Sequence, residues 1–516
     1  MRRSNAGTGP SGRSPGVAAI GLLALLAGCA VGPAHRPPRV EVGPAFREAP
    51  DSVALAPAVP DGTDSVPAAV APADSGAAPA AVPAAAPGAS RTAFWETLGD
   101  TMLTRLVTEG LAANHDIRAA YARVRGARAA RRETAFDLAP TITVEGGYTR
   151  QRLAGATFPG LGTFPDQDLW DVGAVAYWEI DVFGRLRRNL QGQSALVGSA
   201  QEDFRFVEIL FTSELAGAYF DLRGAQNQLA VARRNAENQR RSLEVTQQRL
   251  DAGRGTAFDT ERARAQLSST LAAIPSLEAR VAAAQYRIGV LVGRPPAAMA
   301  GELEAEGLIP PPPVVGPVAS PDSLVRLRPD VAAAERRLAA ETAFVGAATA
   351  EYLPRLTLSG QAGYTAPDLD AIGNTGTSRY AVGPVISWPA LNLGRVKARA
   401  DAAKARQAEA RARYEQAVLV ALRDVETALV TYRKARGRLD QLRLAAEASE
   451  RAADLARLRF EGGVADFLQV LDAERTQLEA QDQLARGRTE TVSAYVDLYR
   501  ALGGTWPLTG AEPAAR

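Results

Sequence analysis

The chain has 516 residues, with 59 Lys and Arg against 57 Asp and Glu. A formal net charge of +2 offers no bulk attraction for nucleic acid. Two histidines, one cysteine and three methionines leave too few soft or imidazole ligands for a zinc, copper or iron centre, and one cysteine allows no intrachain disulfide. No metal, cofactor-binding or catalytic residue set is therefore expected.

Residues 1–28 read as an export signal. Arg2, Arg3 and Arg13 precede the apolar run Gly16–Ala27, too short for a permanent membrane helix. The run ends in Leu26-Ala27-Gly28-Cys29, which resembles a bacterial lipobox, so Cys29 is the expected lipidation site and first mature residue. Ala30 follows in place of the aspartate associated with inner-membrane retention, which favours the outer membrane. Gly7-Thr8-Gly9-Pro10-Ser11-Gly12 fits GxGxxG but follows no strand, opens no helix and lies in the cleaved segment. Residues 29–43 form the lipidated N-terminal segment, and the Ala/Pro-rich span 44–90 reads as a tether.

The remainder is one unit written twice. Leu138-Ala139-Pro140-Thr141-Ile142 matches Leu353-Pro354-Arg355-Leu356-Thr357, and Arg249-Leu250-Asp251-Ala252-Gly253 matches Arg459-Phe460-Glu461-Gly462-Gly463, at an offset of roughly 210–216. The first repeat covers 91–309, a Pro-rich seam 310–321, the second repeat 322–506 and a tail 507–516. Each repeat predicts an opening helix (100–136 and 322–350), two strands (140–150 and 169–182; 355–365 and 380–388), a very long helix (185–250 and 395–460), a turn and another long helix (257–292 and 465–502). The fold class is mainly α with membrane β.

Along 170–182 the residues Trp170, Val172, Ala174, Ala176, Trp178, Ile180 and Val182 alternate with a largely polar set. The pattern suits a sheet packed on a helix or an outer-membrane barrel strand equally; the lipobox favours the barrel. Four strands close no barrel, and open edges in lipid leave backbone groups unpaired, so membrane strands here require an oligomer. The helix 395–460, at roughly 1.5 Å per residue, is about 100 Å long. Its seam Val418, Leu422, Val425, Leu429, Tyr432, then Leu439 to Phe460, has coiled-coil spacing with a slip near Arg436.

These residues resemble the TolC-like outer-membrane efflux factor family, in its OprM-like, NodT-type lipoprotein branch. The similarity is carried by Cys29-Ala30-Val31-Gly32-Pro33, Phe94-Trp95, Asp100, Asn114, Glu179-Ile180-Asp181-Val182-Phe183-Gly184-Arg185, Leu291-Val292-Gly293-Arg294-Pro295, Leu471-Asp472-Ala473 and Leu502-Gly503-Gly504-Trp506. His35 stands where the family usually has tyrosine. The resemblance implies a homotrimer with a twelve-stranded barrel continuing into a periplasmic α-helical tunnel. It also implies a periplasmic adaptor (membrane fusion) protein and an inner-membrane pump of the RND type as partners. The protein would be lipid-anchored in the outer membrane and extend into the periplasm. The implied periplasmic gate is Leu468, Asp472 and Arg475, with Glu261 and Arg264 as first-repeat counterparts and Ala257 in place of the leucine. The other reading of Asp472 and Arg475 is a surface i,i+3 pair.

The expected function is a passive efflux duct for small molecules such as drugs and toxic compounds. Alternatives are an exit duct for type I polypeptide secretion or metal efflux, and a coiled-coil surface lipoprotein without a pore. An enzyme is disfavoured: His35 and His115 form no triad, and no carboxylate pair is singled out for acid–base work.

Overall fold

The computed structural model describes residues 30–38, 40–47, 93–154, 165–307, 309–311, 318 and 320–504. Cys29, the signal segment, most of the tether and the C-terminal tail lie outside the described residues. Helices are α1 Thr101–Ala113, α2 His115–Phe136, α3 Arg185–Asp251, α4 Ala257–Leu291, α5 Pro321–Leu327, α6 Pro329–Ala350, α7 Leu393–Glu461 and α8 Phe467–Ala501. Strands are β1 Thr141–Gln151, β2 Gln167–Ile180, β3 Arg355–Ala366 and β4 Ser378–Ser387. The duplication is explicit in lengths: α3 and α7 have 67 and 69 residues, α4 and α8 have 35 each.

The chain divides into two compact units. One comprises the N-terminal residues to 39, 122–202 and 332–417 and holds the whole sheet. Its strands run antiparallel in the order β1-β2-β3-β4. The N-terminal segment is strapped to the β2–α3 elbow. Val31 donates its N–H to the Phe183 carbonyl (3.1 Å), and Arg188 donates to the carbonyls of Val31 (3.2 Å) and Gly32 (3.1 Å). Gly184 has φ +81°, and a Cβ there would sit 2.9 Å from Ala30. The glycine thus serves both the turn and the close approach of the residue that follows Cys29.

The other unit comprises 40–121, 203–331 and 418 onward. Its core packs Trp95, Leu103, Leu106, Leu215, Phe220, Ile288, Val425, Val492 and Leu498. Phe94 stacks on Tyr499 at 4.2 Å, and burial pushes the Tyr495 phenol up to about 12. Phe46 is buried in the same core and the Arg47 N–H meets a Glu426 carboxylate oxygen at 2.8 Å, so the chain is packed through the first residues of the span read as a tether. On α7 the predicted seam is buried at Val418, Val425, Leu429 and Tyr432, and again at Ala446, Ala453 and Phe460. No residue from 433 to 445 is buried, which is where the spacing slips.

The expected single opening helices are each broken, and the two breaks do the same work. Asn114 leaves helical geometry between α1 and α2 and its side-chain amide donates to the Leu291 carbonyl at the end of α4 (2.9 Å). Its Oδ1 accepts from the N–H groups of Asp116 (2.8 Å) and Ile117 (3.1 Å), starting α2. In the second repeat Arg328 stands between α5 and α6, and Pro329 supplies no N–H to continue the helix. Arg328 donates to the Ala501 carbonyl at the end of α8 (2.8 Å) and forks onto Asp330 (2.7 and 3.0 Å). Gly293 and Gly503, at φ +73° and +72°, close α4 and α8 beside these groups. A Cβ would meet the Ala113 carbonyl oxygen at 2.9 Å in the first case and Arg328 Cγ at 3.0 Å in the second. Nearby, hydrogen bonds from Arg105 and Arg294 hold the Glu302 carboxyl below the usual glutamate range.

Arg328 is a buried cation, its side chain 4% exposed, with paired acids and two capped carbonyls. Arg328→Ala leaves those partners unsatisfied and is expected to cost about 3–5 kcal/mol; Asn114→Ala should cost about 1 kcal/mol. Chemical denaturation followed by circular dichroism checks both, and equal midpoints for the two variants would contradict the ranking.

Candidate functional site

The sheet is the first functional feature. Strand register aligns the alternating residues across all four strands: Ile142 faces Ala176, Val144 faces Ala174, Val172 faces Tyr364, Ala174 faces Ala362, and Ala362 faces Tyr380. One face is therefore apolar from edge to edge. It is also uncovered: Ile142 is 68% exposed, Val144 77%, Tyr380 84%, Val382 71% and Ile386 71%. A sheet packed on a helix would bury these side chains, so that reading fails. Aromatic residues border the band. Trp178 and Trp388 stand at one end, their indole N–H groups donating to the Leu138 (2.9 Å) and Tyr352 (3.0 Å) carbonyls. Tyr148 and Trp170, with ring centres 4.7 Å apart, stand at the other with Tyr364 and Tyr380. Trp170 and Trp178 are separated by about 26 Å of strand, close to the apolar height of an outer-membrane barrel.

The opposite face is polar and internally bonded. Asp171 accepts from the Thr365 hydroxyl (2.6 Å) and from Arg379 (3.0 Å), and Arg379 also donates to Thr365 Oγ1 (2.8 Å). Where β2 leaves the sheet, Arg185 forks onto Glu179 at 2.7 and 2.9 Å. β1 and β4 each pair on one side only, so the sheet has two open edges.

The second feature is the pair of helical hairpin tips. Gly253 and Gly463, at φ +67° and +76°, turn the chain after α3 and α7. Each tip repeats the same bonds: Gly253 N–H to Leu250 O and Arg254 N–H to Arg249 O, then Gly463 N–H to Phe460 O and Val464 N–H to Arg459 O. Thr256 caps α4 by accepting from the Asp259 N–H (3.2 Å), and Asp466 caps α8 by accepting from the Gln469 N–H (3.1 Å). Arg249 ties the tips together. Its guanidinium lies 4.0 Å from the Phe460 ring centre and donates to the Phe460 and Glu461 carbonyls that end α7. Behind this clamp Ala263, Phe460, Phe467 and Val470 form a small apolar cluster. Glu474 is buried, accepting from Ser242 (2.7 Å) and Arg457 (3.2 Å).

The sequence-derived gate residues fall on the first turns of α8. Leu468 is 50% exposed. Arg475 meets Asp472 at 3.1 Å, both side chains being more than two-thirds exposed. Glu261 and Arg264 form a similar exposed pair at 2.8 Å. They are not the structural counterparts of Asp472 and Arg475, however. Turn glycines, cap residues and helix starts all match at an offset of 210, which sets Phe258 opposite Leu468 and Arg262 opposite Asp472. The Glu261–Arg264 pair is displaced by one residue, about 100° around the helix. The matching Thr256 and Asp466 cap signals carried this register in the sequence. Arg249 had no local signal, since its partners are remote in the chain, whereas Asn114 before Asp116 and Ile117 is a local cap signal and Pro329 after Arg328 a local break signal.

Long paired helices repeated within one chain, with one four-stranded, two-faced, open-edged sheet built from two strands of each repeat, define a class: the subunit of an outer-membrane channel. The described helices include none long and apolar enough to cross a membrane. Residues 106–294 and 321–504 match the outer membrane efflux protein family, and the chain belongs to that family. It is 31% identical over 446 residues to the pyoverdine export outer membrane protein OpmQ of Pseudomonas aeruginosa, covering 84% of this chain and 93% of that protein. It is 27% identical over 498 residues to nodulation protein T of Rhizobium leguminosarum bv. trifolii, covering 95% and 97%. The solved outer-membrane channel OprN aligns with a TM-score of 0.75 and 41% identity, covering 80% of this chain and 92% of that one. The protein is accordingly a non-enzymatic outer-membrane efflux channel component, extending into the periplasm and working with adaptor and inner-membrane pump partners.

The exposed band yields a face-specific prediction. Val382→Arg places a charge on the lipid face and should cost about 2–4 kcal/mol if near the bilayer midplane. Ala381→Arg, one residue away on the polar face, should be tolerated. Heat-modified gel mobility and outer-membrane yield compare the two; equal loss would contradict the assignment of faces.

Proposed function

We propose that the chain is a passive homotrimeric duct for small molecules, lipid-anchored through Cys29. The observation that carries this reading is the uncovered apolar sheet face between two open edges. In hydrocarbon each unpaired backbone group costs several kcal/mol. Pairing β4 of one copy with β1 of the next removes every edge, and three copies supply a twelve-stranded barrel. The polar faces then line the bore. The relative OpmQ, which by its name exports pyoverdine, supports a small-molecule cargo over a polypeptide.

The duct performs no chemistry; the pump supplies the energy. Ala30 lies against the β2–α3 elbow, so a lipid on Cys29 would start from the sheet end bordered by Trp178 and Trp388. At the periplasmic end Leu468 forms an apolar plug, Asp472 an acidic ring, and Arg475 holds the carboxylate by a charge-assisted bond. The RND type is the pump class we assign.

In planar bilayers the purified protein should conduct as a trimer, and a monomer without conductance would refute the duct. Asp472→Ala with Arg475→Ala should raise conductance and antibiotic entry; an unaltered leak removes the gate assignment. Cys29→Ser should abolish acyl labelling while the barrel still assembles, and persistent labelling would refute lipidation there.

A further inference from the structure

Where the sheet meets the helices, α3, α6 and α7 frame a cavity of about 340 Å³, lined by Arg185, Asn189, Phe344, Glu351, Arg399, Arg406 and small residues between them. Two ion pairs tie it to the polar face of the sheet. Arg185 forks onto Glu179 at 2.7 and 2.9 Å, and Glu179 shares the face of Asp171 on β2. Glu351 lies 3.7 Å from Arg355, which shares the face of Thr365 on β3. The cavity therefore continues the polar face, not the lipid-facing one. Its arginines are unequally engaged. Arg185 is committed to Glu179. Arg399 meets Glu351 at 3.0 Å and Arg406 reaches Glu341 at 3.5 Å, and each of these two arginine side chains is 58% exposed. The Glu341 Oε2 that faces Arg406 is buried and accepts no hydrogen bond among the described residues, so this contact is an ion pair only. Around the rim Arg185, Arg355, Arg399 and Arg406 stand against Glu179, Glu341 and Glu351. Phe344 supplies an aromatic wall, and Gly192 on α3 makes room for it, since a Cβ there would collide with the ring.

We propose that this cavity is a cargo subsite in the wall of the duct, taking organic anions that join a carboxylate to an aromatic ring. This rests on the reading that the polar sheet faces line the bore. A carboxylate fits the planar fork of a guanidinium. Arg406 has donors to give, and Arg399 can exchange the Glu351 carboxylate for that of a ligand. The aromatic part then lies along Phe344. The cavity is at the small end of the range for drug-sized ligands. Acids around the rim nearly balance the arginines, so an anion is attracted by specific donors and not held by a large excess of charge. That suits a conducting path, where binding must be favourable enough to admit the solute and weak enough to release it.

The test uses the purified full-length protein with 1-naphthoate as probe and neutral 1-naphthamide as control. Titration calorimetry in detergent reads binding, and current reduction in planar bilayers reads placement in the bore. Naphthoate should bind and reduce the current, and naphthamide should do neither. Arg399→Gln with Arg406→Gln should weaken naphthoate binding by about tenfold or more. Glu351→Gln removes the competing carboxylate and should tighten binding, the opposite of what a merely structural role predicts. Lys404→Gln removes a charge from the same helix outside the cavity and should leave binding unchanged. Trimer retention on gels checks assembly. If the protein conducts as a trimer but naphthoate does not bind, or binds all variants alike, the proposal is overturned and the duct reading stands. Binding with the expected variant pattern but no effect on the current overturns the placement in the bore wall. A protein without conductance refutes the duct and the cargo subsite with it.

Discussion

Backbone hydrogen bonding in a solvent that offers no hydrogen bonds constrains this molecule more than any other interaction. The sheet carries a continuous apolar face of Ile142, Val144, Val172, Tyr364, Tyr380 and Val382, matched strand to strand by register. Such a face is stable in lipid, but lipid also penalises the free edges of β1 and β4. In the proposed trimer both demands are met together, because the edges are joined to other copies.

The duplication is a division of labour built from local chemistry. Each repeat ends its last helix on a glycine with positive φ, and each covers that helix end with a donor from the break between its own opening helices. Asn114 does so with one amide, Arg328 with a guanidinium that also engages Asp330. The solutions differ because an amide at a half-buried helix end needs no counter-ion, whereas a buried arginine does. The tips follow the same logic. One frame of turn bonds carries Phe258 and Arg262 in one repeat, Leu468 and Asp472 in the other, so the frame is common and the chemistry presented is not.

Arg249 shows how a single residue joins the repeats. It closes the carbonyl end of α7 and stacks on Phe460, and the apolar cluster behind it includes residues of both tips. Most ion pairs on the helices are exposed i,i+3 or i,i+4 pairs, each worth tenths of a kcal/mol. The buried Glu474, held by Ser242 and Arg457, is different in kind: an uncompensated charge there would be costly, which fixes the pairing of α3 with α8.

Period-2 alternation along β2 and β3, steps of three and four along α7, and the repeated Gly-rich turns are local patterns, and each could be read from neighbouring residues alone. They determined the duplicated helix-and-strand order, the strand faces and the long helices. Three things required the tertiary structure. The greasy face could be buried or bare, and only the exposure of its side chains among the described residues decided that. The breaks carry local signals in the Asn114 cap and Pro329, but the carbonyls that Asn114 and Arg328 cover lie 177 and 173 residues away, which no window of sequence contains. The register of the tips was legible in the caps and turn glycines, which make Arg262 rather than Glu261 the counterpart of Asp472, but which side chains are buried there was not: Phe467 and Glu474 are buried on α8, whereas Ala257 and Arg264, at the same offset on α4, are exposed. A helix advances about 100° per residue, so a buried stripe displaced by a residue or two turns different side chains toward solvent.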